Sequence, residues 1–234
     1  MILFEKLFGI NPDQIRPNCI LMPFCSPKWL EPFEVTQKAS GLLYTVWQTE
    51  HFSLIKTGIG ATLAGDAALC LKETPCHRAA FLGTCGLIGT DPGRIGEWVL
   101  PSKVLAWDSF STLINGSQTP AAALIFDLAP AEQFLASNKD IPLSRGIHGT
   151  FPSLVLEENY LDEFKKHAVL TVDLECSAVL AACRSVGISI FSLLVISDLL
   201  VHRPFWQVNA EEQKTTAASV AEALKRLSAH FQTQ

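Results

Sequence analysis

The sequence predicts an α/β protein with a mixed, mostly parallel central sheet between two layers of helices, which is a three-layer αβα sandwich. Short apolar runs alternate with segments of helical composition along the 234 residues, of which 48% are hydrophobic. This alternation predicts strands joined by helices, and the apolar fraction is ample for the core of one large domain. We expect an N-terminal extension over residues 1–17 and a single domain over residues 18–232.

The first elements of this domain are predicted to be strands, with one helix after them. Residues 19–24, CILMPF, form a short apolar run with a proline near its end, which predicts a buried strand. Residues 42–58 have the β-branched and aromatic content of two strands, and the polar residues between them predict a hairpin. Residues 61–71 have helical composition, and this helix is expected to end before Pro75.

Two further strands follow that helix. Residues 78–82 are mostly apolar, and this strand is expected to end at the sequence Gly-Thr-Cys-Gly of residues 83–86. Residues 97–105 predict another strand. Within it, Pro101 favours an edge position or a bulge, because proline cannot donate a hydrogen bond to a strand ladder.

The rest of the chain predicts four helices and one strand. Residues 188–196 form the longest apolar run, which is typical of a central strand. The helix before this strand is closed by Gly187, and the last helix has apolar residues at core-facing intervals. A turn signal occurs at Asn115 and Gly116. The four helices are expected over residues 130–137, 161–166, 174–184 and about 210–230.

Two acidic residues flank the last predicted strand and the helix before it. Glu175 lies near the start of the helix, and Asp198 lies at the end of the strand. Ligands of open α/β sheets bind beyond the carboxyl ends of the strands, so we expect both carboxylates on one rim. This arrangement indicates a small-molecule site in which one carboxylate holds hydroxyl groups and the other exchanges a proton.

Composition excludes several other classes of function. The net charge of -5 leaves no basic stripe for a phosphate backbone, so nucleic acid is not an expected partner. The seven cysteines are odd in number and form no paired Cys-x-x-Cys motifs, which indicates reduced core residues of a cytoplasmic protein and no metal site. No apolar run approaches the roughly 20 residues of a membrane span.

Four short motifs occur in a characteristic order. They are Gly58-Ile59-Gly60 before a helix, Gly83-Thr84-Cys85-Gly86 with Gly93-Arg94-Ile95-Gly96-Glu97 beyond it, Asp173-Leu174-Glu175 at a helix start, and Ile196-Ser197-Asp198 at a strand end. Together they resemble the purine nucleoside phosphorylase and nucleosidase superfamily over roughly residues 18–232. The resemblance implies a nucleoside phosphorylase-like fold that holds a nucleoside at the carboxyl rim of the sheet.

One position of the resemblance distinguishes two branches. Phosphorylases of this superfamily usually carry an arginine two residues before the glycine of the Gly-Thr strand end, and here that position is Phe81. Because a phenyl ring cannot pair with phosphate as an arginine does, water is implied as the nucleophile. The chain is therefore similar to methylthioadenosine/S-adenosylhomocysteine nucleosidases and to the futalosine and aminodeoxyfutalosine hydrolases of menaquinone synthesis.

The resemblance also implies roles for the two acids. Asp198 corresponds to the acid that protonates or hydrogen-bonds the purine, and an aspartate there favours adenine over six-oxo purines. Glu175 corresponds to the residue that accepts hydrogen bonds from the ribose hydroxyls, and Leu174 stands where nucleosidases often have methionine. The alternatives are an aspartate that caps a turn and a glutamate that favours a helix N-terminus.

Other site residues follow from the same resemblance. Phe151 is implied as an aromatic against the base, with core packing as the alternative. Phe205 and Trp206 are implied as a lid over the ligand, with surface or dimer packing as the alternative. The loop that touches the sugar and lies under the purine, together with the residue before the strand-end acid, adds Thr84, Cys85, Gly86 and Ser197.

The base that activates water is the least defined residue. Nucleosidases of this kind use a glutamate shortly after the first strand, and the sequence has no acid at that place. Glu31 is the nearest candidate and Glu34 the next, with a solvated surface acid as the alternative. His148 and His202 are further titratable residues near the site loops, with structural roles as the alternative.

These inferences predict an N-ribosyl hydrolase that releases adenine from a nucleoside with a five-prime substituent. Aminodeoxyfutalosine, methylthioadenosine and S-adenosylhomocysteine are the candidate substrates, with no metal or organic cofactor. A homodimer is expected from the nucleosidase resemblance. Two rivals remain open, namely a phosphorylase that anchors phosphate through Arg78 or Arg94, and a protein that binds nucleosides without cleaving them.

Overall fold

The computed structural model describes residues 2–91, 94–108, 122–124 and 126–233. In this part of the chain six α-helices accompany ten strands. The helices are α1 (Ile2–Phe8), α2 (Ala61–Cys70), α3 (Ala129–Ala136), α4 (Leu161–Lys166), α5 (Cys176–Ser185) and α6 (Ala210–Gln232). The strands are β1 (Asn18–Met22), β2 (Gln37–Ser40), β3 (Thr45–Gln48), β4 (Ser53–Lys56), β5 (Arg78–Leu87), β6 (Trp98–Ala106), β7 (Ala122–Leu124), β8 (Leu143–Thr150), β9 (Val169–Asp173) and β10 (Ser189–Leu199).

All ten strands belong to one mixed sheet, as the sequence predicts. Its longest ladders, β5 with β10 and β6 with β8, are parallel, whereas β2, β3 and β4 are joined by antiparallel pairing. The sheet also closes on itself in part: β5 pairs with β10 and β9, and β6 and β8 complete the circuit between them. The sequence pattern gave no sign of this five-stranded ring, because pairing partners leave no mark in local periodicity.

Helices cover both faces of the sheet, which confirms the predicted layers. On β1, Cys19 and Leu21 belong to one hydrophobic core and Ile20 and Met22 to the other, because successive side chains of a strand point to opposite faces. The first core is completed by α1, α2 and α5, and the second by α3 and α6. This double burial explains why the strand sequences are almost continuously apolar.

Several predicted elements agree with the structure, and Pro101 has the effect that was expected. The hairpin corresponds to β3 and β4, and the helix at 161–166 is α4. The parallel ladder of β6 with β8 shifts register between Pro101 and Lys103, so the proline lies at a bulge. It does not lie at an edge, since β6 runs between β8 and β10.

Other segments differ from the expectation. Residues 2–8, placed in the N-terminal extension, form α1, whose buried Phe4 and Phe8 rings stack at 4.1 Å within the first core. β8 and β9 were not predicted, and β5 continues through the glycine motif to Leu87. The turn predicted at Asn115 and Gly116 lies outside the described residues. None of the described helices combines the length and apolar character that a membrane crossing requires.

Candidate active site

A cavity of about 530 Å³ opens at the carboxyl ends of β5, β9 and β10. This volume is in the range of sites that hold one small organic molecule. Seven of the residues predicted from the sequence line it together: Thr84, Cys85, Gly86, Leu174, Glu175, Ser197 and Asp198. The topology therefore brings the glycine motif and both predicted acids to one rim.

A β-bulge presents Asp198 to this cavity. In the β5–β10 ladder, Ile196 pairs with Cys85 and Asp198 with Gly86, so Ser197 is the extra residue. Such bulges redirect side chains next to binding sites. The Asp198 carboxylate is 7% exposed and accepts a hydrogen bond from Ser197 Oγ at 2.7 Å. Burial raises the pKa of Asp198, while hydrogen bonds from Ser197 and the Phe205 backbone oppose this shift.

Gly86 leaves the space that this acid occupies. A Cβ atom at Gly86 would lie 2.1 Å from Leu200 Cδ1 and 3.2 Å from Asp198 Oδ2. Both neighbours are buried, so a side chain at Gly86 would displace Leu200 and press on the carboxylate. The glycine of the strand-end motif thus has a steric role under Asp198.

Glu175 is held by the backbone before α2. It lies in the turn between β9 and α5, not within the helix as predicted, because the Cys176 N–H donates to Asp173 Oδ2 at 2.8 Å at the helix start. The Gly60 N–H donates to Glu175 Oε1 at 2.6 Å. Burial, followed by the nearby Asp173 carboxylate, raises the pKa of Glu175 to about 8. A carboxyl group with such a pKa can gain or lose a proton near neutral pH.

We expect Gly60→Ala to weaken this support for Glu175. Gly60 has φ 104° and ψ 146°, a conformation that side-chain-bearing residues rarely adopt. The substitution should lower the free energy of unfolding by about 1–3 kcal/mol and raise the substrate KM as the N–H turns from Glu175. Urea denaturation and steady-state kinetics measure the two effects.

Gly187→Ala is the matched control for this change. Gly187 also has a positive φ, of 77°, but it precedes β10 at the end opposite Asp198. The Gly187→Ala variant should have a lower free energy of unfolding and an unchanged substrate KM. An unchanged KM in both variants would contradict the role of the Gly60 N–H.

Asp173 lines the cavity beside Glu175, but its carboxylate is already engaged. Thr150 Oγ1 donates to its Oδ1 at 2.8 Å, and His148 Nε2 lies 2.9 Å from the same oxygen. His148 is fully buried, and its Nδ1 lies 2.9 Å from Thr171 Oγ1. This network fixes the turn that carries Glu175. It favours a structural role for His148, which is the alternative considered in the sequence analysis.

One group of potential metal ligands occurs among the described residues. His148, Asp173 and Cys176 have ligand atoms within 4.8 Å of one another, and all three are buried. Burial raises the pKa of the Cys176 thiol well above its usual value, and its Sγ lies 3.2 Å from Ser192 Oγ. A metal would need the thiolate, so we assign this group to the hydrogen-bonded support of the site.

Glu157 lines the cavity and was missed by the sequence analysis. It lies on a short 3-10 helix, Glu157–Tyr160, and is 6% exposed. Burial, and then the carboxylates of Asp198 and Asp173, raises its pKa to about 8. The only signal in the sequence was a pair of acids in an irregular stretch, which is usual for a solvated loop.

Apolar side chains form the rest of the cavity lining, and some of them were not predicted from the sequence. Phe24 and Trp29 come from the segment after β1, and their rings lie 5.8 Å apart. Leu154 also lines the cavity, as does Phe205, the first residue of the predicted lid. The cavity therefore combines an acidic floor with an apolar opening.

Several predicted residues do not reach this cavity. Phe151 is buried against Tyr160 and Phe164, with ring centroids 4.6 and 5.4 Å away, so the implied contact with a base is corrected to core packing. Trp206 is 57% exposed and lines only a small adjoining cavity. Glu31 is exposed and outside the lining, because the segment after β1 turns Trp29 inward instead. Glu34 and His202 are exposed as well.

The two arginines considered for phosphate also lie elsewhere. Arg78 begins β5, at the end of the strand opposite Thr84. Arg94 is bound by Glu97, with Nε 2.7 Å from Oε2, and donates to Ser144 Oγ at 2.6 Å. Neither residue lines the cavity.

Comparison with known proteins identifies the family of this arrangement. The model of the phosphorylase superfamily matches residues 28–233. A curated relative, the DeoD-type purine nucleoside phosphorylase of Bacillus subtilis, is 22% identical over 218 residues, which cover 89% of this chain and 92% of the relative.

Solved structures show the same fold at low identity. AMP nucleosidase from Bacteroides thetaiotaomicron superposes with a TM-score of 0.73 at 19% identity, covering 96% of this chain and 95% of the other. The 5'-methylthioadenosine/S-adenosyl homocysteine nucleosidase of Campylobacter jejuni gives 0.77 at 15% identity, with 94% and 100% coverage. A futalosine hydrolase mutant of Helicobacter pylori gives 0.72 at 17% identity, with 91% and 98% coverage.

Proposed function

Given that this chain belongs to the phosphorylase superfamily, we propose that it hydrolyses the N-glycosidic bond of an adenine nucleoside with a five-prime substituent and releases adenine. One observation carries the choice of hydrolysis. The described cavity lining contains four acids, Glu157, Asp173, Glu175 and Asp198, and no lysine, arginine or histidine. A described lining without a cationic side chain offers a phosphate dianion no counter-charge, whereas water as the nucleophile adds no charge.

The position of Phe81 supports the same choice. Its side chain is fully buried in the first core, so this position supplies no group that contacts phosphate. Arg94 is committed to Glu97 and Ser144, and Arg78 lies at the far end of β5. The described lining holds no cationic side chain, which also disfavours substrates with a five-prime phosphate.

The two acids suit the charges that develop as the bond breaks. Positive charge forms on the ribose, and the ionised form of Glu175, which accumulates as the pH approaches 8, offsets it near the sugar hydroxyls. Negative charge forms on the leaving base, and proton donation by Asp198 neutralises it. Because burial raises the pKa of Asp198, its protonated form is more accessible than that of an exposed aspartate.

The apolar half of the cavity supports an uncharged five-prime substituent or the purine ring. Aromatic side chains bind either group through stacking and dispersion, with little specificity. Methylthioadenosine, S-adenosylhomocysteine and aminodeoxyfutalosine remain the candidate substrates. The residues involved are Phe24, Trp29, Ile59, Phe205 and Val208.

The test is incubation with each of these three nucleosides in buffers with and without phosphate. We expect adenine release from at least one of them, with free ribose sugar as the second product and a rate that phosphate does not change. Chromatography of the base and the sugar measures both. Heat-inactivated protein is the control.

A second candidate function is phosphorolysis, which the Bacillus subtilis relative favours. It predicts sugar-1-phosphate as the product and no turnover without phosphate. Nucleoside binding with no base released over hours would instead support the binding protein without catalysis. The homodimer and the cytoplasmic location stay predictions, since no contact between chains or other observation tests them.

A further inference from the structure

The carboxyl group of Glu157 faces the cavity without a protein partner. No described residue donates a hydrogen bond to it or forms an ion pair with it, although Glu157 is only 6% exposed. Because its oxygens are accessible from the cavity, their hydrogen bonds are left to whatever occupies the cavity. A ligand that occupies the cavity is the nearest source of a partner.

Glu157 lies next to Asp198, at the end of the site assigned to the base. Both residues line the main cavity and the small adjoining cavity, together with Leu154 and Phe205. The titratable groups that face Glu157 from other elements are Asp198 on β10 and Asp173 on β9, and both disfavour a second charge. Its own short helix contributes the exposed Glu158 and Tyr160.

We propose that Glu157 is a second residue that binds the nucleobase, with its neutral carboxyl group beside Asp198. A neutral carboxyl offers an O–H donor and a carbonyl acceptor side by side, whereas a carboxylate only accepts. This pair matches a ring nitrogen next to an exocyclic amino group, which is the pattern on one edge of adenine. The inference rests on the proposed function in taking the ligand to be an adenine nucleoside.

The surroundings favour this role over activation of water. A carboxyl group that activates water must be ionised before it can accept a proton. Burial together with two neighbouring carboxylates keeps Glu157 protonated up to a pH of about 8. The same conditions favour a hydrogen-bond donor at neutral pH. The pH dependence follows: Glu157 loses its donor above pH 8 and then adds a negative charge beside Asp198.

The experiment measures binding of free adenine by calorimetry between pH 6 and 9, which needs no turnover and no ribose contact. Glu157→Leu removes the polar group and should weaken binding at least about tenfold at pH 7. Glu157→Gln keeps one donor and one acceptor and should bind within about threefold of the wild type. Asp162→Asn, a change at an exposed acid in the first turn of α4, is the matched control.

The pH profile separates a direct role from a structural one. Adenine affinity of the wild type should fall by up to about tenfold per pH unit above 8, and this fall should be absent in Glu157→Gln. Equal affinity of Glu157→Leu and wild type would overturn the proposal, as would an unchanged high-pH fall in Glu157→Gln. If Glu157→Leu does not fold, the Glu157→Gln profile decides alone.

Hydrolysis by the wild type is measured separately, so the two proposals fail independently. Adenine binding with the expected variant pattern, but without hydrolysis, would reject the proposed function and keep the role of Glu157. Hydrolysis by the wild type, together with normal adenine binding by Glu157→Leu, would keep the proposed function and reject the role of Glu157. A Glu157→Gln variant that binds adenine normally and loses more than about 100-fold in kcat would also overturn the proposal, because it would indicate proton transfer by Glu157.

Discussion

Asp198→Asn should lower kcat by about 10²–10⁴-fold and leave adenine binding nearly intact. An asparagine has almost the same shape and can still accept the hydrogen bond that Ser197 Oγ donates at 2.7 Å. It cannot deliver a proton to the leaving base, so the loss should appear in kcat more than in KM. Steady-state kinetics with the best substrate, together with adenine calorimetry, measures the two quantities.

Asp162→Asn removes an equivalent charge from an exposed position and should keep full activity. The wild-type kcat should also decline as pH rises through the elevated pKa of Asp198, since the protonated form is the donor. An Asp198→Asn enzyme with wild-type kcat would reject the assignment of the acid, whatever the result for Glu157.

Glu175→Gln should lower kcat/KM by about 100-fold or more. The amide oxygen can still accept the Gly60 N–H, so the fold of the turn should survive. The amide nitrogen replaces an acceptor for the ribose hydroxyls, and the variant carries no charge to offset the positive sugar. Kinetics with a nucleoside, compared with calorimetry of free adenine, separates loss of the sugar contact from loss of the site.

Glu50→Gln, an exposed surface change, is the control for this substitution. The wild-type kcat/KM should contain a component that rises with pH up to about 8, because the Glu175 carboxyl becomes charged over that range, and this component acts against the decline from deprotonation of Asp198. This rise should be missing in Glu175→Gln. An adenine affinity that falls as much as kcat/KM would show that the variant damaged the whole cavity and that the sugar contact is not specific.

The residues predicted at the cavity share one property, which is a position at the end of a regular element. Thr84 to Gly86 and Asp198 lie near the carboxyl ends of β5 and β10, and Glu175 lies between β9 and α5. The periodicity of these elements is legible in the sequence, and parallel strands bring such ends to one rim. The fold class was predictable for the same reason, since buried strands and amphipathic helices repeat along the sequence.

The residues that were missed or misplaced lie in irregular segments. Glu157 lies on a short 3-10 helix, and Trp29 on another, where no periodicity shows which side chain turns inward. Phe151 and Leu154 lie three residues apart in one loop, yet Phe151 packs against Phe164 and Leu154 lines the cavity. The prediction for Glu31 was wrong for the same reason, because Glu31 also lies in an irregular segment.

The closed ring of strands has a consequence for biosynthesis. β10 is the last strand to be made, yet it pairs along its length with β5 and also contacts β6. A nascent chain therefore cannot assemble the cavity until Asp198 has left the ribosome, and such distant pairing forms slowly. Because residues of α6 also line the cavity, ligand binding by the nascent protein requires nearly the whole chain to have been made.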